Sequence, residues 1–315
     1  MTRALTKVVD PSGDAVPLAV KVPEVTALFW MIKITSTAMG EALADFLDGP
    51  ANVILAGLGS LLAAALFVYA LRRQFRTRHY TTGTYWFAVA MVATFGTMAA
   101  DSLHQFLGLP YWSTTAFYAV VLVLVLWRWW ANEGTLSIHS ITTRRREHFY
   151  WATVLATFAL GTATGDWTAT GLHLGFLSSG LLFAVAITLP LIAYRLGANS
   201  ILTFWVAYVL TRPLGASFAD WFDYPKGGGG LGVHRVIVWS ALALVMTGLV
   251  LILGSRERDP LSNAAPHRHE EAGRLGADEH PHPHVGLHPH LHAQPQPQLS
   301  GAGHEIHPRP EPATD

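Results

Sequence analysis

No cysteine occurs among the 315 residues, which excludes a disulfide framework, a thiolate zinc site, an iron–sulfur cluster and a thiol nucleophile. Charge is scarce as well: 13% of the residues are Asp, Glu, Lys or Arg, about half the share found in ordinary soluble domains. Basic and acidic residues cancel at 21 each, so no overall excess recruits nucleic acid. Signatures of nucleotide and hydrolytic chemistry are missing too. There is no Gly-x-x-x-x-Gly-Lys-Ser/Thr loop, no His-Glu-x-x-His, no Gly-x-Ser-x-Gly and no histidine pair at haem-ligand spacing. The glycine run from Gly227 to Gly230 falls in a loop and reads as flexible sequence rather than a phosphate cradle. The sequence therefore predicts neither an enzyme nor a tightly bound cofactor.

What is present is apolar and unevenly charged. Residues 1–23 carry five charges and residues 255–315 carry fourteen, leaving twenty-three for the 231 residues between them. That middle region holds eight apolar stretches, approximately 25–47, 51–71, 83–106, 111–131, 149–170, 174–195, 200–222 and 231–254. Each has the length of a helix that crosses a bilayer. Arginines gather in alternate loops: Arg72, Arg73, Arg76 and Arg78, then Arg144, Arg145 and Arg146, then Arg195. The positive-inside rule makes these loops cytoplasmic and, with eight spans, puts both termini there.

An internal repeat organises the spans. Tryptophan is followed by glycine ten residues on and aspartate five further: Trp30, Gly40, Asp45; Trp86, Gly96, Asp101; Trp151, Gly161, Asp166; Trp205, Gly215, Asp220. An aromatic residue precedes each tryptophan. The unit is a helix pair, with copies at about 24–75, 80–132, 146–196 and 200–254. An even number of spans per unit makes the repeats parallel, so equivalent residues share one depth. The expected fold is an all-α integral membrane domain of eight transmembrane helices over 24–254, after a polar leader (1–23) and before a disordered tail (255–315).

Residue types suggest roles. The tryptophans read as anchors at the membrane boundary or, with the glycines, as packing residues of the repeat, the glycines as close helix contacts. Four intramembrane aspartates at one depth are costly and mark an ion or proton path. Glu41, Thr97 and Thr162 lie four residues before an aspartate, and Asp48, His104 and Asp223 lie three after, all on one helix side. Lys33 and Arg212 are expected to neutralise part of this cluster or to form an ion pair that fixes packing. Glu41 and the four aspartates against two cations leave a surplus of three negative charges, which suits a divalent cation or protons exchanged for one.

The tail has ten prolines and ten histidines in sixty-one residues and too few large apolar residues for a core. His280, His282, His284, His288, His290 and His292 alternate with proline and leucine, offering exposed imidazoles for loose transition-metal binding.

The four repeats, with the stretches Gly134-Thr-Leu-Ser-Ile-His139, Thr143-Arg-Arg-Arg-Glu147 and Thr211-Arg-Pro-Leu-Gly-Ala-Ser217, resemble a bacterial family of polytopic membrane proteins. That family is known by a repeat of unknown function and described as uncharacterised membrane-anchored proteins. The resemblance covers about residues 21–254 and implies a bacterial inner-membrane location; it brings no established activity. The residues themselves point first to a secondary transporter, an exporter of a divalent transition metal (Zn, Ni, Co, Mn or Cu(II)). Its partners are then the bilayer and the metal ion, not nucleic acid, and its oligomeric state is open. The alternatives are a membrane sensor or scaffold that responds to metal or pH, and a carrier of a small organic or anionic solute.

Overall fold

The computed structural model describes residues 7–9, 15–17, 20–49 and 53–258. Two three-residue strands, β1 (Lys7–Val9) and β2 (Ala15–Pro17), pair antiparallel. All other regular structure among the described residues is helical. The long helices are α1 (Ala27–Asp48), α2 (Val53–Arg76), α3 (Thr82–Leu107), α4 (Tyr111–Glu133) and α5 (Arg144–Asp166). They are followed by α6 (Phe176–Ala186), α7 (Thr188–Arg195), α8 (Ser200–Asp223) and α9 (Arg235–Arg258).

Local chemistry sets the ends of these helices. Thr26, Thr143 and Asn199 accept first-turn amides at the starts of α1, α5 and α8, as N-cap side chains do. Gly108 and Gly134, at φ 64° and 67°, close α3 and α4 in the left-handed region that glycine enters without steric cost. Helix α9 continues to Arg258, beyond the expected start of the tail at residue 255. The tail histidines His280, His282, His284, His288, His290 and His292 lie outside the described residues.

Six helical stretches are long and apolar enough to cross a membrane: α2, α3, α4, α6 with α7 taken as one, α8 and α9. The other two expected spans, α1 and α5, are not among them. Lys33, Glu41, Asp45 and Asp48 on α1, and the charged first turn of α5 followed by His148, Thr153, Thr157, Thr162, Thr164 and Asp166, make them too polar. The same two helices bury many of their residues inside the bundle. A helix surrounded by others does not need an apolar surface of its own.

The helices form two layers. Helices α1, α3, α5 and α8, one from each repeat, pack in sequence, and α8 packs back on α1 to close a ring. The partner helix of each repeat packs outside, chiefly against the ring helix of the next repeat: α2 on α3, α4 on α5, α6 on α8, and α9 back on α1. Burial follows this division, with 61% and 56% of the apolar windows of α3 and α8 buried against 11% to 22% for the outer spans.

Candidate functional site

Register along the repeat determines what meets inside the ring. The aromatic residue before each tryptophan touches the tryptophan of the next repeat: Phe29 on Trp86 at 5.6 Å, Tyr85 on Trp151 at 5.6 Å, Tyr150 on Trp205 at 6.3 Å and Phe204 on Trp30 at 5.7 Å between ring centroids. The Tyr85 and Tyr150 hydroxyls are hydrogen-bonded to each other. Trp86, Trp151 and Trp205 are buried and Trp30 partly so. The tryptophans therefore serve as a girdle between repeats, not as the lipid-facing anchors their position in the sequence suggests.

The glycines follow the same cyclic rule. A Cβ on Gly40 would overlap Ala93, one on Gly96 would come to 2.7 Å from the Phe158 Cβ, one on Gly161 would overlap the Arg212 stem, and one on Gly215 would overlap Thr37. Thr37, Ala93, Phe158 and Arg212 each stand seven residues after a repeat tryptophan. Each glycine thus admits the equivalent residue of the next repeat. Close approach of helix backbones through small residues is how such interfaces pack without a hydrophobic driving force.

Arg212 lies fully buried at this level. Its Nη2 donates to Glu41 Oε2 at 2.5 Å, to Thr162 Oγ1 at 2.7 Å and to Thr97 Oγ1, and its Nη1 donates to the Thr37 carbonyl at 2.9 Å. The Thr97 and Thr162 hydroxyls also donate to Glu41 Oε2, at 2.9 and 3.3 Å. Glu41, Thr97 and Thr162 occupy one register position in three successive repeats, and the fourth holds Ala216. The pair is compensated at both terminal nitrogens of the guanidinium, while the Arg212 Nε is buried without a hydrogen-bond partner, and removal of one member of the pair strands the other.

Lys33 does not join the carboxylates. Its Nζ is buried without a hydrogen-bond partner and rests on the rings of Phe158, at 3.8 Å from the centroid, and Tyr208, at 4.2 Å. Cation–π contact offsets part of the desolvation cost. Lys33→Met keeps the volume and removes a buried amine with no hydrogen-bond partner, so it is expected to stabilise the chain by about 1 to 3 kcal/mol, the desolvation penalty of an unsatisfied buried polar group. A melting curve in detergent reads this directly; a lowered midpoint shows that the ammonium is compensated after all.

Further along the axis, the four aspartates do not form one symmetric set. One carboxylate oxygen each of Asp45, Asp220 and Asp223 lies within 4.8 Å of the others. Asp101 and Asp166 are not part of that group. Arg235 approaches it from α9, with Nε 3.6 Å from Asp223 Oδ2 and Nη1 donating to the Asp45 carbonyl at 3.0 Å. Asp45, Asp223, His234 and Arg235 line a hollow that opens to the surface. Asp48 accepts from Ser60 at 3.0 Å. His104 stacks on Tyr111 at 3.9 Å, and its Nδ1 pairs with the Leu109 carbonyl at 2.7 Å, which leaves only Nε2 for another partner.

Sequence reasoning places Asp223 on the polar side but misses its pairing with Arg235, the first residue of α9. Equally hidden is the opposite end of the ring. There Lys21 Nζ reaches Glu147 Oε2 at 2.6 Å, Gln74 Nε2 reaches Glu147 Oε1 at 3.1 Å, and the Lys21 amide bonds the Ile141 carbonyl at 3.1 Å. With Val22, Ile138 and Ile141 buried against the aromatic girdle, the last leader residues and the α4–α5 loop cap the ring at its tryptophan end.

A family model described as Repeat of Unknown Function (DUF347) matches residues 28–80, 84–135, 149–197 and 203–259. No curated protein and no solved structure matches the chain.

Proposed function

The chain belongs to the family of the Repeat of Unknown Function (DUF347), and on the residues of its ring we propose that it is a multi-pass inner-membrane carrier, an exporter, of a divalent transition-metal cation. In this reading α1 and α5 also cross the membrane, shielded by the other spans, and the arginine-rich loops keep both termini in the cytoplasm. The observation that carries the proposal is the convergence of Asp45, Asp220 and Asp223 within 4.8 Å beside an open hollow, at the end of a ring whose axis is occupied by the Arg212–Glu41 pair. Three carboxylates with one neighbouring guanidinium retain negative charge for a cation. An all-oxygen donor set suits Mn(II) better than the other candidate metals.

Arg212 supplies the second element of the mechanism. It is a cation tethered to the wall, and it satisfies Glu41 whenever no cargo is present. A divalent ion passing along the axis competes with the guanidinium for Glu41, so the pair closes the path at rest and is exchanged during transport. Protons on the carboxylates are the natural counter-ion. The histidine tail, on the cytoplasmic side in this topology, would gather metal for export.

Closure of the axis by the buried pair and the aromatic girdle also suits a static sensor or scaffold, and flux separates the two. Purified chain in proteoliposomes is expected to move Mn(II) at a rate at least tenfold above empty vesicles. Asp220→Asn is expected to remove most of that flux. Asp48→Asn, at a carboxylate already bonded to Ser60, should keep it. Absence of flux for Mn, Zn, Ni, Co and Cu(II) alike overturns the carrier reading; full flux in Asp220→Asn removes the carboxylate group from it.

A further inference from the structure

A second feature lies at the other end of the bundle, away from the carboxylates. Arg144, Arg145, His148, Phe149 and Ala152, on the first turns of α5, line a surface groove. Its rim is basic and its wall, formed by Phe149 and Ala152, is apolar. His148 is held in place, with Nδ1 paired to the Arg144 carbonyl at 2.6 Å and its ring stacked on Phe75 of α2 at 4.4 Å.

Part of the rim's charge, that of Arg144, is not answered among the described residues. Glu133 takes both Arg145, at 3.1 Å, and Arg146, at 2.7 Å. Glu147 is buried and belongs to Lys21. Arg144 is exposed and has no acidic partner among the described residues. Arg73 and Arg76, in the last turn of α2, add to the same end.

We propose that this groove binds an anionic phospholipid, with the headgroup phosphate on Arg144 and Arg145 and an acyl chain along Phe149 and Ala152. A soluble anion gains nothing from an apolar wall, and a zwitterionic lipid brings no net charge to an unbalanced rim. Basic residues beside an apolar surface at the cytoplasmic boundary are the setting in which such headgroups are recognised. The proposal rests on the membrane reading of the chain but not on the carrier reading, and binding is measured without flux.

Native mass spectrometry of the full chain in neutral detergent, titrated with phosphatidylglycerol or phosphatidylcholine, tests it. Phosphatidylglycerol is expected to be retained at least tenfold better. Arg144→Gln should cut that retention about fivefold, since each basic residue near the surface contributes about that factor. Arg144→Gln with Arg145→Gln should abolish the preference, and Arg195→Gln, outside the groove, should leave it intact. Because Arg144 is exposed and unpaired, its single variant is expected to melt like the parent. Equal retention of the two lipids, an equal loss in Arg195→Gln, or displacement of the lipid by an equal concentration of inorganic phosphate each overturns the proposal.

Discussion

Arg212→Met is expected to destabilise the folded chain by about 3 to 5 kcal/mol, the cost of leaving a buried charge without its partner. Glu41, only 3% exposed, would keep two threonine hydroxyls as donors but lose the guanidinium that neutralises it. Arg212→Met combined with Glu41→Leu should recover stability to within about 1 kcal/mol of the parent, because replacing a whole buried pair by apolar groups of similar volume is often neutral. With the carboxylate gone, the Thr97 hydroxyl can donate to the Ala93 carbonyl instead, at 3.2 Å. Melting in detergent measures all three proteins. A double variant as unstable as the single one would mean that the guanidinium matters for its contacts with Thr37 and Thr162 and not for its charge. On the carrier reading proposed above, the double variant, folded but without the tethered cation, is expected to have lost regulated metal flux.

Gly215→Val should have the second large effect. A first side-chain carbon at this position already overlaps Thr37 and would stand 2.9 Å from the Ala38 amide nitrogen, which belongs to a backbone and cannot rotate away. Overpacking a tight contact costs about 1 to 3 kcal/mol for an extra methyl or methylene group, and valine adds more than one. Gly215 also joins the fourth repeat to the first, so forcing the helices apart here opens the ring at the contact that closes it. Loss of folded protein on size-exclusion chromatography is the expected result. Gly248→Ala, where nothing lies within 4 Å of the added carbon, is the control and should be neutral or slightly stabilising, alanine being the better helix former. Equal tolerance of both changes would show that the ring contact is loose.

Much of this architecture is legible in the order of residues. The interval from tryptophan to glycine to aspartate defines the repeat, its depth and its polar side, because helical periodicity converts spacing into a face and a height. Glu41, Thr97 and Thr162 share a register position in the sequence and share a bond network in the structure. Trp86, Trp151 and Trp205 were less readable: a tryptophan near the end of an apolar stretch looks alike whether it faces lipid or a neighbouring helix. Lys33 and Arg212 look alike as well, two cations in costly positions, yet one finds a carboxylate and the other two aromatic rings.

The sequence by itself determined that the chain is built from four parallel helix pairs, that most of their helices are long and apolar enough to span a membrane, and that an aspartate recurs at one height on the first helix of each repeat. Only the tertiary structure decided that the fourth repeat returns to the first, that Arg212 crosses the ring to Glu41, 171 positions away, and that three carboxylates gather while two stay apart. The reason is geometric. Spacing along a helix specifies height and direction within that helix, but the rotation of one helix against the next is set by which side chains fit together, and here by glycines that admit a neighbour's side chain at each of the four joints.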